Sequence, residues 1–251
     1  METPVRTPSR APFVRAMFGR IAGRYDLMNT LMTGGRHHAW RRLAVRQACL
    51  SGPPVRQAGR QAQPAGGHAL DLCCGTGDFA LELARHGASV VVGVDFSREM
   101  LALAARKAEA AGLSGRVQWQ LADALELPFP DAVFLCATSG FSLRNVDDVA
   151  CVLREMARVV ASGGRVAVLE LTPVRSRLFG PVFRAYFRGL APLVGGLVAG
   201  DRAAYTYLPD SVRAFPIADE LANLMRQAGL VEVRYHLLAL GAVAVHLGVK
   251  P

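Results

Sequence analysis

The stretch His68–Asp78, H-A-L-D-L-C-C-G-T-G-D, constrains this chain more than any other. A short apolar run reaches a carboxylate at Asp71 and breaks into a tight loop at Gly75, Thr76 and Gly77. A helical pattern then opens at Asp78. Glycines let the backbone approach a ligand closely, and a helix start presents free N–H groups. Strand, loop and helix in this order therefore form a site for a nucleotide-like ligand, and the residues downstream decide which one.

Alternation of strand and helix runs on from that loop. Apolar runs predict strands at Ala69–Cys73, Ser89–Val94, Val117–Leu121, Ala132–Thr138 and Arg165–Leu171, the last entered through Gly163 and Gly164. Helical periodicity predicts helices at Asp78–His86, Ser97–Ala111 and Val146–Val160. Such alternation implies an α/β fold, a doubly wound and mostly parallel sheet with helices on both faces. A helix at Ile217–Ala228, closed by Gly229, precedes two β-rich runs, Leu230–Leu238 and Ala242–Val249. Their closeness in sequence predicts an antiparallel pair at the sheet edge. Before the sheet, helical spacing begins at Pro12, and a second helix is expected over His37–Leu50.

Residues 1–11, rich in Pro and Arg, read as a disordered tail, and 12–251 as one domain. Within it, 12–50 form a helical cover, 51–67 have the composition of a flexible insertion, and 68–171 form the ligand-binding core. Residues 172–216 are expected to cover the substrate side, with 217–251 completing the sheet. Arginines and prolines interrupt the apolar 176–200 stretch and argue against a membrane span. The N-terminus has no apolar stretch of the secretory kind, and the five cysteines include no C-x-x-C pair, which fits reduced thiols in a cytoplasmic protein. Net charge is +9, yet only Lys107 and Lys250 among the 29 basic residues are lysines and the rest are arginines. That skew and the scatter of the arginines weaken a nucleic-acid reading, and no base-flipping motif supports it.

Polar residues fall where strands end, the place where open α/β sheets bind ligands: Asp71, Asp95, Asp123 and the cluster Gly140–Asn145. Asp95 lies about 20 residues beyond the glycine loop, where a carboxylate accepts ribose hydroxyls. The loop ends in Asp78, at the point where a dinucleotide's pyrophosphate would sit, and a carboxylate there repels phosphate but suits a cation. Adenosine with a cationic tail is S-adenosylmethionine. Each residue also has a plainer reading. Asp71 is as well suited to tying down the glycine loop, Asp78 to capping the helix, and Tyr25 and His246 to the core. Arg144 has Asp147 and Asp148 close by as ion-pair partners.

D-L-C-C-G-T-G-D, G-V-D-F-S-R-E-M-L and A-D-A-L-E-L-P-F-P-D resemble the first three motifs of class I S-adenosylmethionine-dependent methyltransferases. R-I-A-G-R-Y-D-L-M-N, L-R-N-V, R-V-V-A-S-G-G-R-V-A-V-L-E-L, Y-T-Y-L-P-D-S-V-R-A-F-P and H-L-G-V-K resemble the UbiE/MenG family, which C-methylates polyprenyl quinol precursors in menaquinone and ubiquinone biosynthesis. The resemblance implies a seven-stranded, Rossmann-like sheet and no metal. It implies a cofactor site of Asp71, Gly75, Thr76, Gly77, Asp95, Met100, Asp123, Ala124 and Gly140, with Thr76 and Gly77 against the methionine part and Met100, Asp123 and Ala124 near the adenine. Arg144, Asn145 and Tyr25 are then expected to position a lipophilic quinol and stabilise its phenolate. Ser142 stands in place of the family's glycine, and Leu135 where an aspartate is common. These departures keep another small lipophilic phenol open as acceptor, while the intact L-R-N-V argues against a non-catalytic cofactor-binding protein. Peripheral attachment to the inner face of the membrane and a homodimer are compatible with the sequence and not fixed by it.

Overall fold

The computed structural model describes residues 9–49, 67–174 and 202–251. The tail up to residue 8, the expected insertion at 51–66 and the apolar 175–201 stretch of the cover lie outside the described residues. Two helices come first, α1 (Ala11–Thr33) and α2 (Arg36–Cys49). The alternating core follows as β1 (His68–Leu72), α3 (Asp78–Arg85), β2 (Val90–Asp95), α4 (Arg98–Ala110), β3 (Val117–Leu121), β4 (Phe134–Gly140), α5 (Val149–Val159) and β5 (Val160–Leu171). Helices α6 (Arg202–Ala214) and α7 (Ala218–Gln227) lead to β6 (Val231–Leu238) and β7 (Val243–Val249).

The seven strands lie in the order β3-β2-β1-β4-β5-β7-β6. Strands β1 to β5 pair in parallel, and β7 runs antiparallel to both β5 and β6. The doubly wound sheet and the terminal antiparallel pair agree with the sequence. The chain's last strand nevertheless inserts next to β5 and leaves β6 at the edge. Burial follows that placement: six of the seven β7 residues are buried, and β6 has none. Reversal of strand order between β1 and β4 opens the crevice where such sheets bind ligands.

One sheet face packs against α5 and α7 through Leu153, Met156, Leu221 and Met225. The other packs against α2, α3 and α4 through Val45, Leu83 and Ala108. Helix α5 starts three residues later than its periodicity suggests, because Asp148 accepts a hydrogen bond from the Cys151 N–H at 2.8 Å and caps it there. The L-R-N segment preceding it is a short 3₁₀ turn, Leu143–Asn145. Helix α1 adds a third, smaller cluster of Met17, Ile21 and Met28, with Tyr207 of α6 packed against it.

Trp119 on β3 sets the spacing beside the glycine loop. A Cβ on Gly93 would stand 2.5 Å from its ring, and one on Gly77 would also meet it at 2.5 Å, with Gly77 held at φ 83°. Gly93→Ala should therefore destabilise the protein by about 1–3 kcal/mol through overpacking. Thermal melting should fall by roughly 2–4 °C per kcal/mol, and Trp119→Leu on that background should recover part of the loss. A second change that recovers nothing would show that the ring is not the obstacle.

Candidate active site

Two cavities meet at the carboxyl ends of the central strands. The first, about 1150 Å³ including its mouth, is lined by Asp71, Gly75, Thr76, Asp95, Met100, Asp123, Ala124 and Gly140, with Tyr25 and Asn145 at its inner end. Every residue expected at the cofactor lies on it except Gly77, whose missing side chain faces Trp119 instead. Gly140 has no room for a side chain because the Phe79 ring fills that direction.

Asp95 organises the loop. Its Oδ2 accepts from the Gly75 N–H at 2.8 Å and its Oδ1 from the Ser97 N–H at 2.9 Å. Ser97 in turn caps α4 by accepting from the Met100 N–H at 3.2 Å, so one carboxylate fixes both the loop and Met100. A carboxylate has about four lone-pair sites, and each oxygen here keeps capacity for a further donor such as a ribose hydroxyl. Burial pushes the Asp95 pKa up, against the pull of the Ser97 and Gly75 N–H groups. Asp71 lies deeper, accepting from the Ala80 N–H at 2.9 Å and the Thr138 hydroxyl at 3.1 Å. It thus anchors the first turn of α3, not the loop itself, and burial raises its pKa to about 8.

Asp78 does not present the free negative charge expected of it. Gly77 occupies the cap position, and the Asp78 carboxylate is neutralised within the protein by Arg41 at 3.1 Å and by a short contact to Lys107. Burial opposes its charge, but Arg41 and then Lys107 outweigh that and lower its pKa. Lys107 also donates to Asp26 at 2.8 Å and to Thr76 at 3.2 Å, and Thr76 donates to Asp26 at 2.6 Å. A tetrahedral ammonium satisfies three oxygens from three elements, which the planar arginine fork does not do. Nothing in the sequence marks Asp26, Arg41 and Lys107 as site residues beyond the rarity of lysine in a chain otherwise given to arginine. His37, His38 and Asp78 offer ligand atoms within 4.8 Å of one another, but Asp78 is already committed to two cations.

The second cavity, about 1220 Å³ with its mouth, lies beyond the first and shares Phe18, Tyr25, Phe141 and Asn145 with it. Its walls are mainly apolar, with Met17, Ile21, Met28, Met32 and Trp40 among them. Arg144 lines this cavity and pairs not with Asp147 or Asp148 but with Glu170, at 2.6 Å. Asp147 instead accepts from the Ser9 hydroxyl and the Arg10 N–H at the start of α1. Six buried side-chain nitrogen or oxygen atoms among the described residues have no partner. Four of them, Asn29 Nδ2, Arg144 Nε, Asn145 Oδ1 and the Tyr207 hydroxyl, belong to residues lining this cavity. His246 lines neither cavity; its Nε2 bonds the Ala218 carbonyl at 2.8 Å, as a core histidine would. Burial pushes the Tyr25 phenol up despite the opposing charge of Arg144.

A seven-stranded sheet of this order, with a glycine loop at its switch point and a carboxylate closing β2, is the fold of the class I S-adenosylmethionine-dependent methyltransferases. Solved structures share the fold: a methyltransferase from Thermotoga maritima superposes with a TM-score of 0.61 at 21% identity, covering 95% of this chain and all of that one. The [4+2]-cyclase SpnF does so at 0.66 and 21%, covering 99% of each, a reminder that the fold alone does not set the chemistry. This chain belongs to the ubiE/COQ5 methyltransferase family, whose model matches residues 6–250. It is 46% identical to the demethylmenaquinone methyltransferase of Thermus thermophilus, across 94% of this chain and all of that protein. It is 42% identical to the ubiquinone/menaquinone biosynthesis C-methyltransferase UbiE of Desulfotalea psychrophila, across 96% and 92%.

The raised pKa of Asp71 gives a pH signature. In the folded protein this carboxyl keeps its proton up to about pH 8, whereas an unperturbed one loses it near 3.8. Its contribution to stability is therefore complete at acid pH and is lost as pH climbs through 8. Between those limits the slope is up to about 1.4 kcal/mol per pH unit. Unfolding free energy measured from pH 5 to 9 should fall more steeply in the wild type than in Asp71→Asn; parallel curves would mean the carboxyl is ionised throughout.

Proposed function

We propose that this enzyme C-methylates a polyprenyl quinol, with demethylmenaquinol as substrate and menaquinol as product. The observation that carries the reading is the second cavity itself: apolar walls with four unpartnered polar atoms, joined to the cofactor cavity through shared walls. Buried polar groups left unpaired in a native fold are unusual and fit an absent polar ligand. Arg144 Nε and Asn29 Nδ2 only donate, while Asn145 Oδ1 only accepts. A hydroquinone both donates and accepts; a quinone offers no O–H to Asn145. The names of the relatives from Thermus thermophilus, Deinococcus radiodurans and Roseiflexus castenholzii point the same way.

The two departures from the family pattern give no support to a different phenol. Ser142 lines the first cavity and its hydroxyl pairs with that of Ser139 at 2.6 Å, while Leu135 lines neither.

When bound, S-adenosylmethionine supplies an electrophilic methyl group, and Asp95, Thr76, Met100, Asp123 and Ala124 are the residues to hold it. Asn145, on both cavities, accepts from the quinol hydroxyl nearest the cofactor. As that proton passes from beside Asn145 to a water held among these groups, Arg144 and Tyr25 donate to the oxygen left behind and electron density moves to the neighbouring ring carbon. Once methylated, that carbon loses its ring hydrogen as a proton and the oxygen regains one, which restores the hydroquinone. Donors already aimed at a developing charge need no reorganisation during reaction, and the walls hold ring and methyl within reach.

Incubation with S-adenosylmethionine and reduced demethylmenaquinone, product mass being read out, should show the gain of one methyl. Arg144→Ala should lower turnover by about 10²–10³-fold while cofactor affinity changes little. A wild type that adds no methyl to the quinol, or a variant losing both properties equally, would overturn the reading.

We further infer that the substrate's tail is taken from an anionic lipid surface. Exposed Leu31 adjoins Met32, exposed Leu240 adjoins Ala239, and Arg36 stands with Met32 and Ala239 on the cavity wall. No helix among the described residues is long and apolar enough to cross a membrane. Co-sedimentation with anionic vesicles should occur at low salt and weaken in Leu31→Ser/Leu240→Ser; equal binding by the variant would remove the role of this face.

A further inference from the structure

Arg144 is built into the second cavity in an unusual way. It is nearly buried, and its Glu170 partner is 1% exposed. Glu170 stands near the end of β5, inside the apolar run V-A-V-L-E-L, and lines neither cavity. Its Oε1 accepts from Arg144 Nη1 at 2.6 Å and from the Leu171 N–H at 2.8 Å, and its Oε2 takes the Arg144 main-chain N–H at 3.4 Å. The same Nη1 reaches the Phe141 carbonyl at 2.5 Å, and Phe141 adopts a left-handed φ of 58°. One corner of the guanidinium is thus fully bonded while Nε, also buried, has no partner.

Removing two charges from water costs more than a buried pair usually returns, so such a pair is weak as a stabilising device. A device for aiming one group is the better account, and the bonding pattern fits it: Glu170 grips the end of Arg144 that faces the sheet. We propose that Glu170 is the positioning residue of this active site. It fixes Arg144 with Nε–H toward the acceptor oxygen, and its negative charge tempers the guanidinium's pull on the quinol proton. The proposal rests on the quinol reading above. Glu170 acts only through Arg144 and touches neither substrate nor cofactor.

The charged and titratable groups around the pair leave a clear window for a test. His37 of α2, on the cavity wall, is held near pKa 4 by burial and by Arg41. Tyr25 of α1 and Tyr207 of α6 are both pushed above 10, chiefly by burial. Arg36 of α2 lines the same cavity and Arg41 the neighbouring one. Between pH 6 and 9 neither His37 nor the two tyrosines changes charge. Asp71, on the cofactor cavity, loses its proton at about 8 and does so alike in every protein compared, so a shift of the limb between them reports the quinol proton.

The experiment compares the pH profiles of kcat at saturating reduced quinol, which report the ionisation of the bound quinol, in the wild type, Glu170→Gln and Glu170→Asp. Glutamine still accepts from Nη1 but leaves the guanidinium charge uncompensated. Its acid limb should move down by about one pH unit, with a lower plateau in kcat and cofactor affinity within about twofold. Aspartate keeps the charge and should keep the wild-type limb. A merely structural role lowers the plateau, or the melting temperature, and leaves the limb where it was; that result would overturn the proposal.

Should Glu170→Gln fail to fold with a bare buried cation, the pair Arg144→Gln and Arg144→Gln/Glu170→Gln decides instead. If Glu170 works through Arg144, the double variant is no slower than the single one within about twofold. Multiplying losses would overturn the proposal. A wild type inactive on the quinol overturns the function and this inference together, whereas an active wild type with an unmoved limb overturns only the inference.

Discussion

The contact on which both cavities depend is the one between Lys107 and three oxygens, on Asp26, Thr76 and Asp78. It joins α1, the glycine loop and α4. Helix α1 supplies Val14, Phe18 and Tyr25 to the first cavity and Met17, Ile21, Met28 and Asn29 to the second. The same helix is held also by its small cluster with Tyr207, by Arg15 over the Phe96 ring and by the Ser9 and Arg10 bonds to Asp147. An ion cluster on half-buried groups of this kind adds little to stability. What it provides is registry: the helix that walls the acceptor is set by the loop that meets the cofactor.

The sheet was legible because parallel strands buried on both faces read as continuous apolar runs, and their ends carry carboxylates that line the first cavity. That logic located Asp71, Asp95 and Asp123 without knowledge of the tertiary contacts. The position of β7 was not legible, since a strand's periodicity does not say which neighbour it will join; its six buried residues hint only that it is not the edge. Helix ends shifted where a side chain intervened, as Asp148 does for α5.

Polar pairings across the chain were the least legible part of the site. Arg144 and Glu170 are 26 residues apart, and the glutamate is hidden within an apolar strand, while nearby Asp147 and Asp148 offered a simpler match. Asp78 looked like a free charge because its partners, Arg41 and Lys107, come from other helices. The resemblance sets Gly77 against the cofactor; the Trp119 ring fills its side-chain direction, so a contact it makes there runs through its backbone. Sequence spacing identifies which residues reach the strand ends; only packing decides which way each one looks there.

Because Phe18, Tyr25, Phe141 and Asn145 wall both cavities, the two binding sites are separated by no more than one layer of side chains. A single molecule carrying an adenosyl group at one end and a naphthol at the other, with a short tether, would fill both at once. Its second half would bind at an effective concentration in the millimolar range or above, so the joined ligand gains affinity from geometry that neither half possesses alone. The shared wall that brings acceptor and methyl group together therefore also defines the shape of a selective inhibitor.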